Sequence, residues 1–137
     1  MSSDRGIQNV IGLHELSPAY ADAVTALGPH EVDRLTNTSV TYYNFFSTGV
    51  SLRVCNKTRR VTAMVAYATG AVPGYGPFGG QLPNGLRFGE SRDDVTAHLV
   101  GLGFHPSQDG FILPGPHYSL SASFDRAGKL SSLSLFT

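Results

Sequence analysis

Ser91-Arg-Asp-Asp-Val-Thr-Ala-His-Leu-Val-Gly-Leu-Gly103 decides the fold, because an earlier stretch, Ser17-Pro-Ala-Tyr-Ala-Asp-Ala-Val-Thr-Ala-Leu-Gly28, is written to the same plan. Each opens on a serine, whose hydroxyl can accept a backbone N–H of the first helical turn. Pro18 stands at the first helical position, where its missing N–H removes no hydrogen bond. Asp94 follows Ser91 by three positions, as in a capping box, and Asp93 and Asp94 favour the positive helix end. Tyr20, Val24 and Leu27 mark one apolar face of the first helix, and Val95, Leu99 and Leu102 mark one face of the second. The second set follows the first by 75 positions throughout. Each helix is expected to stop at a glycine, Gly28 or Gly103, which tolerates the left-handed conformation that ends a helix.

Strands repeat around these helices. Val50 to Val54, a polar turn at Asn56-Lys57-Thr58, and Val61 to Tyr67 read as one hairpin. Tyr118 to Phe124, a turn at Asp125 to Gly128, and Leu130 to Phe136 read as another. In Tyr118-Ser-Leu-Ser-Ala-Ser-Phe124 apolar residues alternate with serines, the period of a strand with one buried face. A further strand precedes each hairpin, Val40 to Phe46 in the first set and a shorter Gly110 to Leu113 in the second, where Pro114 and Pro116 limit pairing. The expectation is an α+β protein of two tandem helix-plus-antiparallel-meander units, about 12–68 and 83–136, with the helices on one face of an antiparallel sheet. Together they form one domain. Between them lies a Gly/Pro-rich segment, 69–82, which contains no regular element but carries Tyr75, Phe78 and Leu82. It reads as an ordered crossing, pinned by those side chains. Leu86-Arg-Phe88 is expected to extend just before the second helix.

Composition excludes several functions. The chain has 137 residues, 41% hydrophobic and 15% charged, with ten basic and ten acidic residues. That apolar content supports a packed core rather than disorder. Zero net charge does not suit nucleic-acid binding, which draws on a basic excess to neutralise phosphates. No run approaches the ~20 apolar residues of a membrane span. The single cysteine, Cys55, forbids an internal disulfide. No signal peptide is expected at the N-terminus, and the reading is cytoplasmic.

Local signatures of chemistry are missing. His14, His30, His98, His105 and His117 show no metal-ligand spacing, so neither metal nor cofactor is expected. His30 and His105 follow the two helix ends, where a histidine can interact with terminal carbonyls. No G-x-S-x-G elbow and no phosphate-binding loop occurs. The chain is therefore expected not to be an enzyme and to have no catalytic residues. Aromatic residues offer an alternative. In Tyr42-Tyr-Asn-Phe-Phe46, alternation puts Tyr42 and Phe46 on one face and Tyr43 and Phe45 on the other. One pair belongs to the core, and the other is either covered as well or left as a binding surface. Tyr42, Tyr43, Tyr75 and Phe78 are the candidate partner-binding residues.

The motif Leu86-Arg-Phe-Gly-Glu-Ser-Arg-Asp-Asp-Val95, followed by Leu102-Gly103 and a hairpin, resembles the unit of the β-lactamase-inhibitor-protein fold. It equally resembles that fold's single-unit relative, the lipoprotein of the outer-membrane assembly machine. The likeness covers residues 83–136 well and 12–68 more loosely. This chain lacks their lipobox cysteine and structural disulfides. Tyr75 to Val95 also resembles bacterial proteins encoded beside polymorphic toxins, several of which are immunity proteins. The resemblance implies a non-enzymatic inhibitor that occludes a cognate protein toxin in the cytoplasm. Two other readings stand beside it. One is a small-ligand binder or enzyme with a pocket between sheet and helices, using His98, His117 or Arg92. The other is a structural subunit of a larger assembly.

Overall fold

The structure, a computed structural model, describes residues 7–34, 39–107, 110–112 and 119–137. It is α+β: two helices and one antiparallel sheet of eight strands. Helix α1 spans Pro18–Leu27 and is followed by β1 (Glu31–Asp33), β2 (Val40–Phe45), β3 (Val50–Cys55) and β4 (Val61–Tyr67). Helix α2 spans Arg92–Gly101 and is followed by β5 (His105–Ser107), β6 (Gly110–Ile112), β7 (Ser119–Phe124) and β8 (Leu130–Phe136). The strand order is β1-β2-β3-β4-β8-β7-β6-β5. Each run of four folds back strand by strand, and the last strand of each run meets the other at the centre. Each helix was expected to lead three strands, but it leads four. The extra ones, β1 and β5, are three-residue edges, too short to show a period in sequence. Leu113, Pro114, Pro116, His117 and Tyr118 lie outside the described residues.

The helix ends form by the chemistry expected of them. Ser17 Oγ accepts from Tyr20 N–H at 3.2 Å, and Ser91 Oγ accepts from Asp94 N–H at 3.2 Å. Gly28 has a φ of 93° and donates to the Val24 carbonyl. At the end of α2, Gly103 N–H donates to Val100 and Phe104 N–H donates to Leu99. This paired closure is a Schellman motif, with Gly103 at φ 95° and the apolar contact falling to buried Phe104. That overturns one expectation. Leu102 is 50% exposed, whereas Leu27 at the matching position of α1 is 8% exposed. The Schellman turn swings Leu102 outward and hands its place to Phe104.

Strand register sorts every side chain to one of two faces. Phe45, Val50, Leu52, Met64, Ala66, Leu133, Leu135 and Leu120 fall on one side by their pairings. With Tyr20, Leu27, Val95 and Leu99 from the helices they form a single buried cluster. Both helices therefore cover the same face. The opposite face carries Tyr42, Asn44, Ser51, Arg53, Val65, Tyr67, Ser132, Ser134, Ser121 and Ser123. Among the described residues, no helix lies on it.

Backbone pairs outside the strands tie each helix to its own hairpin. Gly12 N–H donates to Val61, Val61 N–H to Leu13, and Glu15 N–H to Arg59. Before α2, Gly89 N–H donates to Leu130 and Leu130 N–H to Glu90. Leu86 is extended, with φ −69° and ψ 154°, after a short 3-10 turn at Pro83–Gly85 and is buried in the core, but Leu86–Phe88 does not pair as a strand. The segment that pairs starts at Gly89.

Candidate functional site

The crossing segment bends over the end of the sheet at the β2–β3 turn. Gly76 N–H donates to Phe46 O at 2.7 Å and Phe78 N–H donates to Tyr67 O at 2.8 Å. On the uncovered face, Tyr75 lies against Phe46 at 4.7 Å and Tyr67 at 4.5 Å between ring centroids. On the helix face, Phe78 packs against the core. Two candidates three residues apart thus end on opposite sides of the sheet. Tyr42 and Tyr43 also part, as alternation requires. Tyr42 shares the uncovered face with Tyr75, while Tyr43 and Phe78 turn toward the helices. The structure brings Tyr42 and Tyr75 to one surface and does not bring all four together.

The uncovered face is wired rather than merely polar. The Tyr75 hydroxyl and Ser51 Oγ are 2.7 Å apart, and Ser51 Oγ donates to Asn44 Oδ1 at 3.0 Å. Burial pushes the Tyr75 hydroxyl above its usual pKa. The Ser51 hydrogen bond opposes that shift, and Tyr67 and Glu31 add to it. The pairings Glu31–Asn44–Ser51–Val65–Ser134–Ser121 form one row across six strands. Its neighbour runs Asp33–Tyr42–Arg53–Ala63. Arg53 Nε donates to Thr62 Oγ1 at 3.0 Å.

A second polar knot sits between α1 and the sheet. Tyr43 donates from its hydroxyl to Glu15 Oε2 at 3.0 Å, and Arg59 pairs with Glu15 Oε1. Arg59 has a φ of 62°, a left-handed conformation uncommon for a side-chain-bearing residue. Glu15 holds it at two points, by accepting from its guanidinium and by donating N–H to its carbonyl. Sequence reading did not single out this pair, because its members are 44 residues apart. Tyr20 packs edge-on against Tyr43 at 6.1 Å. Its hydroxyl is buried with no hydrogen-bond partner, and burial raises its pKa far above the usual tyrosine value, with Tyr43 adding to the shift. An unsatisfied buried hydroxyl destabilises a fold. Tyr20→Phe keeps the ring and removes that hydroxyl, so it is expected to raise stability by about 1 kcal/mol. Urea unfolding of the two proteins checks this; a lower midpoint for the variant would contradict it.

His30 and His98 have local partners. His30 rests on the Tyr43 and Phe45 rings at 5.6 and 4.8 Å. The carbonyl of Leu27 at the helix end accepts from the Thr48 hydroxyl, not from His30. His105 lies on β5, paired with Ile112. His98 bonds the Asn84 carbonyl and closes the 3-10 turn against α2. Arg92 lies over the Phe124 ring at 4.4 Å, a cation–π contact. His117 lies outside the described residues. Cys55 is half-buried, and hydrogen bonds from the Thr58 backbone and hydroxyl, then the Lys57 backbone, hold its thiol below the usual pKa. Among the described residues, no three His, Cys, Asp or Glu side chains are grouped to hold a metal ion. Among the same residues, no helix is long and apolar enough to cross a membrane.

No family model, curated protein or solved structure matches this chain.

Proposed function

We propose that the chain is a non-enzymatic, protein-binding inhibitor, a cytoplasmic immunity-type protein that occludes a cognate bacterial toxin. The observation that carries this reading is the broad sheet face that no helix covers, with Tyr42, Phe46, Tyr67 and Tyr75 among its partly exposed side chains. Aromatic side chains on a rigid support suit an interface hot spot, because little rotamer freedom is lost on binding. The single core behind the sheet supplies that rigidity. In the same reading the molecule is two copies of one unit. Each copy is a helix with a serine cap, then four strands, and the two join through β4 and β8. The pre-helix segments, 12–15 and 89–91, brace the equivalent hairpins in both.

The test is protection. Where the neighbouring gene encodes a toxin, cells expressing it should survive when the chain is co-expressed. Tyr42→Ala with Tyr75→Ala should weaken toxin binding by about tenfold or more, the range of interface hot spots. Loss of protection while the variant stays folded supports the reading. Full protection by the double variant moves the interface elsewhere, and no protection by the wild type overturns the inhibitor reading.

A further inference from the structure

One corner of the uncovered face has a chemistry of its own. It is built from Tyr75 packed against Phe46 and Tyr67, at 4.7 and 4.5 Å between ring centroids and with ring planes tilted by 47° and 43°. Beside them the row Glu31–Asn44–Ser51 ends in a carboxylate on the edge strand β1. Glu31 is exposed, and Tyr75, Phe46 and Tyr67 keep part of their surface in solvent.

The ring faces and the Glu31 carboxylate of this corner attract positive charge. Aromatic ring faces carry negative potential, which draws guanidinium and ammonium groups. The Ser51 hydroxyl is already spent on the Asn44 side-chain oxygen. The Glu31 charge reaches the Tyr75 hydroxyl and disfavours its ionisation. Arg53 stands in the neighbouring row, between Tyr42 and Ala63, and donates to Thr62. The Glu31 row itself holds no cation.

We propose that the corner formed by Glu31, Phe46, Tyr67 and Tyr75 receives an arginine side chain of the partner protein, with the guanidinium against the solvent-exposed part of the aromatic cluster and Glu31 as its counter-ion. Arginine fits better than lysine, because its planar group can both stack on a ring and bond a carboxylate in bidentate fashion. The inference rests on the reading of this chain as a protein-binding inhibitor, and it specifies what the partner must present.

The probe is the peptide acetyl-Gly-Gly-Arg-Gly-Gly-amide, titrated into isotope-labelled protein and followed by amide NMR. Its counterpart carries citrulline, which keeps the shape and removes the charge. The arginine peptide should shift the amides of Glu31, Asn44, Ser51 and Gly76, and the citrulline peptide should not. Glu31→Gln, at an exposed edge position, should weaken the arginine response by about fivefold, the size of an exposed charge and cation–π contribution. Equal shifts with both peptides, no shifts, or shifts indifferent to Glu31→Gln overturn the proposal. The inhibitor reading fails separately. If the adjacent toxin binds equally well to wild type, Glu31→Lys and Tyr75→Ala, the corner is wrong and the inhibitor reading stands. If the peptide titrates the corner but no toxin binds, the inhibitor reading falls and the corner stands.

Discussion

Gly49→Ala is expected to lower the unfolding free energy by about 3 kcal/mol, from left-handed strain and overpacking together. Gly49 has a φ of 77°, and a Cβ there would lie 2.6 Å from Phe78 N and 2.8 Å from Pro77 C, and closer still to the Gly76 carbonyl. All three are backbone atoms, so no side-chain rotation relieves the overlap. From the other side, a Cβ on Gly76 would meet the Ser47 carbonyl at 2.9 Å. The crossing segment and the β2–β3 turn thus touch backbone to backbone. Any methyl between them must lift the strap that places Tyr75 on one face and Phe78 on the other. Gly70→Ala is the control. Gly70 has a φ of 73° but nothing within 4 Å of the added Cβ, so it should cost only about 1 kcal/mol. Denaturant midpoints for the two variants measure the difference. Equal losses would show that the close approach contributes nothing beyond backbone strain.

Leu135→Ala should cost about 2–5 kcal/mol, the range for emptying a fully buried leucine site. Leu135 is 0% exposed and pairs with Met64 on one side and Leu120 on the other, at the β4–β8 seam. Both halves of the sheet pack against it, so neither can collapse into the cavity without pulling on the other. Leu102→Ala should stay within about 0.5 kcal/mol, as surface substitutions do. Thermal unfolding separates the two outcomes by many degrees. A large loss at Leu102 would mean that the helix repeat, not the Schellman turn, governs that position.

Much of this was legible before any coordinates. The caps at Ser17 and Ser91 depend on residues one turn away, and they formed as their types require. β7 announced itself by alternation, because a half-buried strand needs a period of two, and β2, β3, β4 and β8 read as strands from apolar stretches bounded by turn residues. The α+β antiparallel class followed from those two local signals. β1 and β5 escaped, since three residues cannot show a period. Leu102 escaped because the 75-residue correspondence holds for side-chain type but not for the turn that follows, where Phe104 takes the buried place.

The candidate site was only half legible. Alternation separated Tyr42 from Tyr43, yet nothing local said which of them the helices would cover. Tyr75 and Phe78 share an irregular segment with no period to sort them. Their opposite fates are set by the β2–β3 turn, which the segment meets through Gly49 and Gly76. Glu15 and Arg59 find each other across 44 residues only because the chain before α1 runs along the β3–β4 hairpin. The sequence by itself determined the helices, their caps and the longer strands, because those rest on neighbours within a few positions. Which face stays open, and which aromatics and carboxylate share its corner, only the tertiary structure decided, because strand register and backbone contact join residues that sequence distance keeps apart.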